Sequence, residues 1–507
     1  MNDHRMWRYR MDSVLSILIK FWEFFVNNFL TQPAYFIGLL VAVGYILLRK
    51  PWYDVLAGFI KATIGFFILQ VGSGGLVSNF RPILVGLKDK FNLDAMVIDP
   101  YFGQNAVQAG MEETFGKTFS DVMLLLLIAF IFNIVLVALK KWTKMRAIFT
   151  TGHVQMQQAA TAFWLILFAL PGLKNSNVGI LLVMGLLLGL YWAVGSNLIV
   201  GQSQDLTDGA GFTIAHQQMF GIGLFTWLAE KMGKKSKKES KRLDDINLPG
   251  WLKIFNENMV ATAVLMTLFF GVILLILGKD YLVSQEFLKE SSNFFFYIMT
   301  TSFHFGVYLA ILQLGVRTFV TELTNSFQGI SSRLLPGAVP GVDCAVAFGF
   351  GSKNAVTIGF LFGALGQFLA ILLLILLKSP TLVVAGFVPV FFDNAVIAVY
   401  ADNKGGAKAA MLFPFLSGLG QVFGSAFIAG FVGLAQYGGY LGMWDWAVVW
   451  PIFTVVMKYL SYFGLILIVV GLLAIPQIQY HLKKDTYFLE TEDWEECKRV
   501  RAEKAGK

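Results

Sequence analysis

Two short stretches pair histidine with glutamine. His153 lies in TTGHVQMQQA, with Gln155, Gln157 and Gln158 close behind; His216 lies in TIAHQQMFG, with Gln217 and Gln218 beside it. The chain has only five histidines, so two such clusters are a concentration. Imidazole and carboxamide groups donate and accept hydrogen bonds at fixed positions. A ligand with several hydroxyls needs that lining, because each hydroxyl taken out of water must find a partner. Asp343, in PGVDCAV, is an ionisable group inside an apolar run, which marks a functional candidate by default. The competing reading is architectural: intramembrane glutamines also tie helices together. Asp99 and Asp393 have the sequence context of helix caps, and His304, in TSFHFGV, reads as structural. A metal site from His153, His216 and Asp343 is conceivable, but the flanking glutamines favour a polar organic ligand. No metal or other cofactor is expected.

The elements that must position these residues are set by composition. Hydrophobic residues make up 56% of the 507 and charged residues 14%, against roughly 25% charged in soluble domains. So few charges cannot coat a soluble surface, whereas lipid solvates apolar faces. Runs at 121–139, 177–198, 259–277, 355–377 and 447–475 are nearly free of charge. Each approaches or exceeds the ~20 residues a helix needs to cross the hydrocarbon. Further spans are expected at 33–48, 54–72, 160–170, 294–315 and 411–435, giving an all-α polytopic membrane protein of about 10–11 transmembrane helices. Five stretches interrupt this hydropathy with Gly, Pro and polar residues: 99–105, 150–158, 208–218, 336–343 and 386–394. Non-helical backbone at membrane depth survives only when buried in protein or lining a wet cavity. These stretches therefore read as re-entrant hairpins or broken helices converging on one site. Gly72-Ser73-Gly74-Gly75 reads as a further turn or helix break.

The net charge of +8 is not a nucleic-acid signature, because the positive residues gather in short loops as in cytoplasmic loops of membrane proteins. The most basic loop, GKKSKKESKR at 233–242, splits the chain. The expected domains are a basic N-terminus with an amphipathic helix (1–32), a first membrane repeat (33–232), a basic linker (233–257), a second membrane repeat with the last helix (258–480), and a cytoplasmic tail (481–507). No cleavable secretory signal is expected, and Cys344 and Cys497 are too few for a disulfide framework. Landmarks recur in order across the halves. Ile68-Leu69-Gln70-Val71-Gly72 answers Ile311-Leu312-Gln313-Leu314-Gly315, and Asp99 with Asn105-Ala106-Val107 answers Asp343 with Asn354-Ala355-Val356. With the basic loops inside, the two halves run in opposite directions, the pattern of an inverted repeat.

Several separate stretches resemble the ascorbate-specific enzyme IIC permeases of the bacterial phosphoenolpyruvate-dependent sugar phosphotransferase system. They are GYILLRK (44–50), LQVGSGGLVSNFRP (69–82), TGHVQMQQA (151–159), DGAGFTIAHQQ (208–218), LPGWLKIFNENMVATAVLMTLFFG (248–271) and NSFQGISSRLLPGAVPGVDCA (325–345). The resemblance implies a homodimer in the bacterial cytoplasmic membrane, surrounded by lipid, whose mobile core carries L-ascorbate in an elevator-type movement. It also implies substrate contacts at Tyr101, at His153, Val154, Gln155, Met156 and Gln157, at His216 and Gln217, and at Asp343. The chain departs from the family pattern at Pro100 and at Gln155-Met156. Phosphorylation to ascorbate 6-phosphate would fall to separate enzyme IIB and IIA proteins, since this chain has no phosphorylatable soluble domain and is not an enzyme on its own. Alternatives are a phosphotransferase permease for another polyol or sugar acid, an ion-coupled secondary transporter of a small polar or anionic solute, and, more distantly, an intramembrane enzyme using His153 and His216 as acid and base.

The basic-loop pattern makes a topological prediction. Single cysteines placed in 140–146, 233–242 and 481–507 should resist membrane-impermeant thiol reagents applied outside intact cells. Reaction at 233–242 from outside would overturn the orientation.

Overall fold

In the computed structural model, residues 32–505 are described, apart from 92, 93, 236–240, 247, 248, 257 and 336, together with residues 16, 20, 24 and 29. The amphipathic helix expected within 1–32 falls almost wholly outside the described residues, as does part of the basic linker. Helices dominate, because a helix satisfies its own backbone polar groups within one apolar segment. Those of eight residues or more are, in chain order, α1 (Pro33–Leu47), α2 (Trp52–Phe91), α3 (Pro100–Phe115), α4 (Phe119–Ala138), α5 (Gly152–Ala169), α6 (Asn177–Leu198), α7 (Val200–Thr207) and α8 (Met219–Lys235), followed by α9 (Asn258–Leu277), α10 (Phe294–Leu334), α11 (Lys353–Leu376), α12 (Asn394–Phe431), α13 (Trp444–Leu482) and α14 (Trp494–Ala505). Among the described residues, the stretches Trp52–Gly72, Asn177–Thr207, Asn354–Leu376, Pro389–Phe431 and Asp445–Leu482 are long and apolar enough to cross a bilayer. The chain is a multi-pass, largely helical membrane protein.

Two expectations are corrected. The chain is not all-α: among the described residues, six short strands form two three-stranded parallel sheets. Nor does Gly72-Ser73-Gly74-Gly75 break a helix, since α2 runs through it without interruption. The glycines in this region serve close packing instead. A Cβ on Gly75 would lie 2.1 Å from the Tyr308 ring, and one on Gly315 would lie 2.4 Å from the Leu69 backbone nitrogen. Small residues of this kind let α2 and α10 approach to backbone contact.

The strands are β1 (Asp94–Ile98), β2 (Ala147–Phe149), β3 (Thr213–Ile214), β4 (Val339–Val342), β5 (Thr381–Ala385) and β6 (Gly439–Tyr440). One sheet has the order β5-β1-β6 and the other β2-β4-β3. Each therefore places a strand from one half of the chain between two strands from the other half. In the second sheet Ala147 pairs with Val339, Phe149 with Gly341, and Ile214 with Val342. Proline is rare in a central strand because it has no N–H to donate. Pro340 is tolerated because Val339 and Gly341 face β2, while β3 begins only opposite Gly341. The outer edge of β2 is closed by side chains: Asn133 accepts from the Phe149 N–H at 3.0 Å and Asn197 from the Arg146 N–H at 2.9 Å.

The segment after α13 folds back beneath this sheet. Arg146 and Glu490, each with a side chain about 1% exposed, pair at 2.8 Å. Glu490 also takes Lys483 at 3.2 Å and Arg501, and Arg501 reaches Asp205, which pairs in turn with Lys404 at 2.6 Å. Burial opposes ionisation of Glu490, but Arg146, Lys483 and Arg501 hold its carboxyl below the ordinary range. A folded-state value depressed in this way contributes stability above the ordinary carboxylate range, and that contribution is lost as pH falls through the depressed value.

Removing one partner of a buried pair leaves an uncompensated charge, at a cost of roughly 3–5 kcal/mol. Glu490→Gln should therefore lower the thermal unfolding temperature of the purified protein clearly. Arg499→Ala, which breaks only the exposed pair with Glu496, should leave it nearly unchanged. Equal melting of the two variants would show that the tail clasp is not a structural element.

Candidate functional site

Three parallel strands end at one place. His153 follows β2 by four residues, His216 follows β3 by two, and Asp343 follows β4 directly. Register and common direction thus bring together three side chains far apart in sequence. His153 Nε2 lies 3.5 Å from Asp343 Oδ2 and His216 Nε2 lies 4.0 Å from the same oxygen. The two imidazole centroids are 6.3 Å apart. Each histidine is 5% exposed, while the Asp343 side chain keeps 22%, so the group is buried but reachable.

The second atoms of two of these groups are anchored. Asp343 Oδ1 accepts from the Ala345 N–H at 2.9 Å, leaving Oδ2 for the centre. His216 Nδ1 lies 2.7 Å from Gln218 Oε1. A carboxamide oxygen only accepts, so Nδ1 carries the proton and Nε2 turns its lone pair inward. Gln157 shares the His153 face one turn along α5, and its Oε1 accepts from Gln217 Nε2 at 2.6 Å. Gln217 Oε1, fully buried, has no hydrogen-bond partner among the described residues. Tyr101, in the first turn of α3, interacts through its hydroxyl with Gln157. The structure therefore brings Tyr101, His153, Gln157, His216, Gln217 and Asp343 to one locus. Gln155 instead donates to the Phe149 carbonyl at 3.1 Å, and Val154 and Met156 are both buried. Pro100 occupies the first turn of α3, where its missing N–H costs nothing.

Further residues hold these groups in place. Gln158 donates to the His216 carbonyl at 3.2 Å and accepts from Trp192 Nε1 at 2.6 Å. Asp445 accepts from the Phe220 and Gly221 N–H groups at 3.1 and 3.0 Å and from the Tyr191 hydroxyl at 2.7 Å, satisfying the first turn of α8 just after the His216 cluster. Trp192 and Asp445 sit in apolar text with no motif around them. The other sheet ends differently. Asp99 caps α3 by accepting from the Tyr101 N–H at 3.0 Å, as Asp343 does from Ala345, but no histidine follows β5 or β6. Asp393 there accepts from the Trp444 N–H at 2.7 Å and from Gln421.

The locus is buried, partly open and lined by imidazole, carboxamide, phenol and one carboxylate, groups able to hydrogen-bond a polar solute. A profile described as the sugar-specific permease component of PTS systems, EIIC-GAT, matches residues 28–450. The chain belongs to that family. The ascorbate-specific PTS system EIIC component of Mycoplasma pneumoniae is 32% identical to this chain over 433 residues, covering 78% of this chain and 65% of that protein. The chain thus spans less than two thirds of the relative's length. The locus at the end of the β2-β4-β3 sheet is where this family member gathers imidazole, carboxamide and carboxylate groups.

Proposed function

We propose that this permease binds and translocates L-ascorbate, with phosphorylation to ascorbate 6-phosphate supplied by partner EIIB and EIIA proteins. The observation that carries the reading is the convergence of His153, His216 and Asp343 at the ends of three parallel strands, with Gln157, Gln217 and Tyr101 alongside. Ascorbate is a monoanion with several hydroxyls. The first turns of α3 and α5 both open at this locus, and helix N-termini favour anions. Asp343 Oδ2 and Gln217 Oε1 are acceptors suited to hydroxyl donors. The named relative, an ascorbate-specific component, supports the same substrate.

The exchange of strands between the halves supports an inverted repeat, with β1, β2 and β3 answering β4, β5 and β6. Asp99 and Asp343 then occupy equivalent caps, each accepting from the N–H two residues on. Such repeats house their substrate where broken helices meet. The long, glycine-seamed pair α2 and α10 suits the static, dimerising part of an elevator-type homodimer. The two sheets with α4–α8 and α11–α13 suit the moving part.

Truncating His216 to Ala leaves ligand oxygens desolvated and unpaired, at about 1–3 kcal/mol for a neutral group and more for a charged one. Since about 1.4 kcal/mol is tenfold, L-ascorbate binding to the purified variant should weaken tenfold or more while the protein stays folded. Unchanged affinity would remove His216 from the site. Uptake in cells should require EIIB and end in phosphorylated product. Concentrative uptake of unmodified ascorbate without EIIB would instead establish an ion-coupled transporter.

A further inference from the structure

We propose that His153, His216 and Asp343 also form a binding site for a divalent transition-metal ion of the Zn2+ class, occupied in exclusion of the solute. Metal capture stands on the geometry alone; only its competition with substrate rests on the function proposed above. Two imidazoles and one carboxylate are the donor set of an open zinc site, which keeps a further position for water or another ligand. All three donor atoms lie within 4.8 Å of one another. The separations of 3.5 and 4.0 Å to Asp343 Oδ2 exceed the roughly 2.7–3.2 Å of a good N–H···O bond. The side chains therefore aim at a common centre without closing on each other. Zinc bonds of about 2.0–2.2 Å in a tetrahedral arrangement place donor atoms about 3.4 Å apart. One separation already has that value, and side-chain rotations of about an ångström would bring in the rest.

The surroundings fit a ligand set as well. Metal-bound imidazoles characteristically donate their other N–H to an oxygen acceptor, which fixes the tautomer and orients the ring. Gln218 Oε1, 2.7 Å from His216 Nδ1, occupies that position, and the Ala345 N–H holds Asp343 in the same way. With Nδ1 protonated, the His216 Nε2 lone pair faces a carboxylate oxygen across 4.0 Å. His153 Nε2 lies 3.5 Å from the same oxygen, and a cation at the centre of the three atoms would take a lone pair from each. Imidazole ligands select zinc-like ions over Mg2+ or Ca2+, which take mainly oxygen ligands in larger number.

The test uses the purified full-length protein. Titration with ZnCl2, without ascorbate, should give one high-affinity site per chain, and MgCl2 should give none. CoCl2 should produce the intense visible absorption of a tetrahedral N/O site, a readout that requires no variant. His153→Ala, His216→Ala and the isosteric Asp343→Asn should each weaken Zn2+ binding at least tenfold. Zn2+ affinity unchanged in all three, or absence of both the heat and the Co2+ spectrum in the unaltered protein, overturns the proposal. Saturating L-ascorbate, corrected for its own weak chelation in a titration without protein, should raise the apparent Zn2+ dissociation constant. Zinc binding that ascorbate does not shift overturns mutual exclusion and points against the substrate assignment. Ascorbate binding without any zinc site sinks the metal proposal alone.

Discussion

Backbone that leaves the helix inside an apolar molecule must find a partner for every N–H and C=O it exposes, because unpaired groups there cost several kcal/mol each. This chain meets that constraint with two very small parallel sheets. A strand of two to five residues cannot stand alone in an apolar interior, but three of them in register satisfy one another, and side chains such as Asn133 and Asn197 close an edge. Parallel pairing then has a geometric consequence. All strands of a sheet end on the same side, so the residues just beyond them arrive together. The candidate locus is a result of how broken helices satisfy their hydrogen bonds.

The two sheets share one topology and differ in the residues beyond their strand ends. Behind β1, backbone comes so close that no side chain fits: a Cβ on Gly386 would lie 2.4 Å from the Ile98 carbonyl oxygen, and one on Gly442 would lie 2.5 Å from Ile98 Cβ. Where that sheet packs on glycine, the sheet around β4 carries His153 and His216. The same architecture therefore gives a filled end and an open one. Under the proposed inverted repeat, a single asymmetric site in a pseudo-symmetric frame needs only these local exchanges of side chains.

Much of this was legible in the residues. Long uncharged runs named most helices, and the polar interruptions marked where helices break. Two His-Gln clusters and Asp343 named the centre of the locus. The strands were not legible, since TI at 213–214 or GY at 439–440 carries no alternation, and pairing partners are over a hundred residues away. The GSGG run misled because glycine serves both turns and close helix packing, and only the partner helix decides between them. Gln155 shows a similar limit. Its neighbours in the cluster point to the locus, yet helical geometry turns it back to the Phe149 carbonyl. Trp192 and Asp445 act from other elements, which no local pattern reveals.

The tail clasp bears on how such a locus could be carried without being deformed. Arg146 leads directly into β2, Asp205 and Asp208 lie shortly before β3, and Lys140 and Glu492 flank Gly337 just before β4. The clasp therefore grips the entering ends of the same three strands whose leaving ends hold His153, His216 and Asp343. Strands of this length rise about 3.3 Å per residue, so clasp and locus are roughly 10 Å apart along one sheet. Sliding one strand against its neighbours would break ladder bonds at one end and strip Arg146 of its carboxylate at the other. Both penalties fall on internal deformation and neither on movement of the sheet as a whole, which favours the rigid-body displacement that the proposed elevator requires.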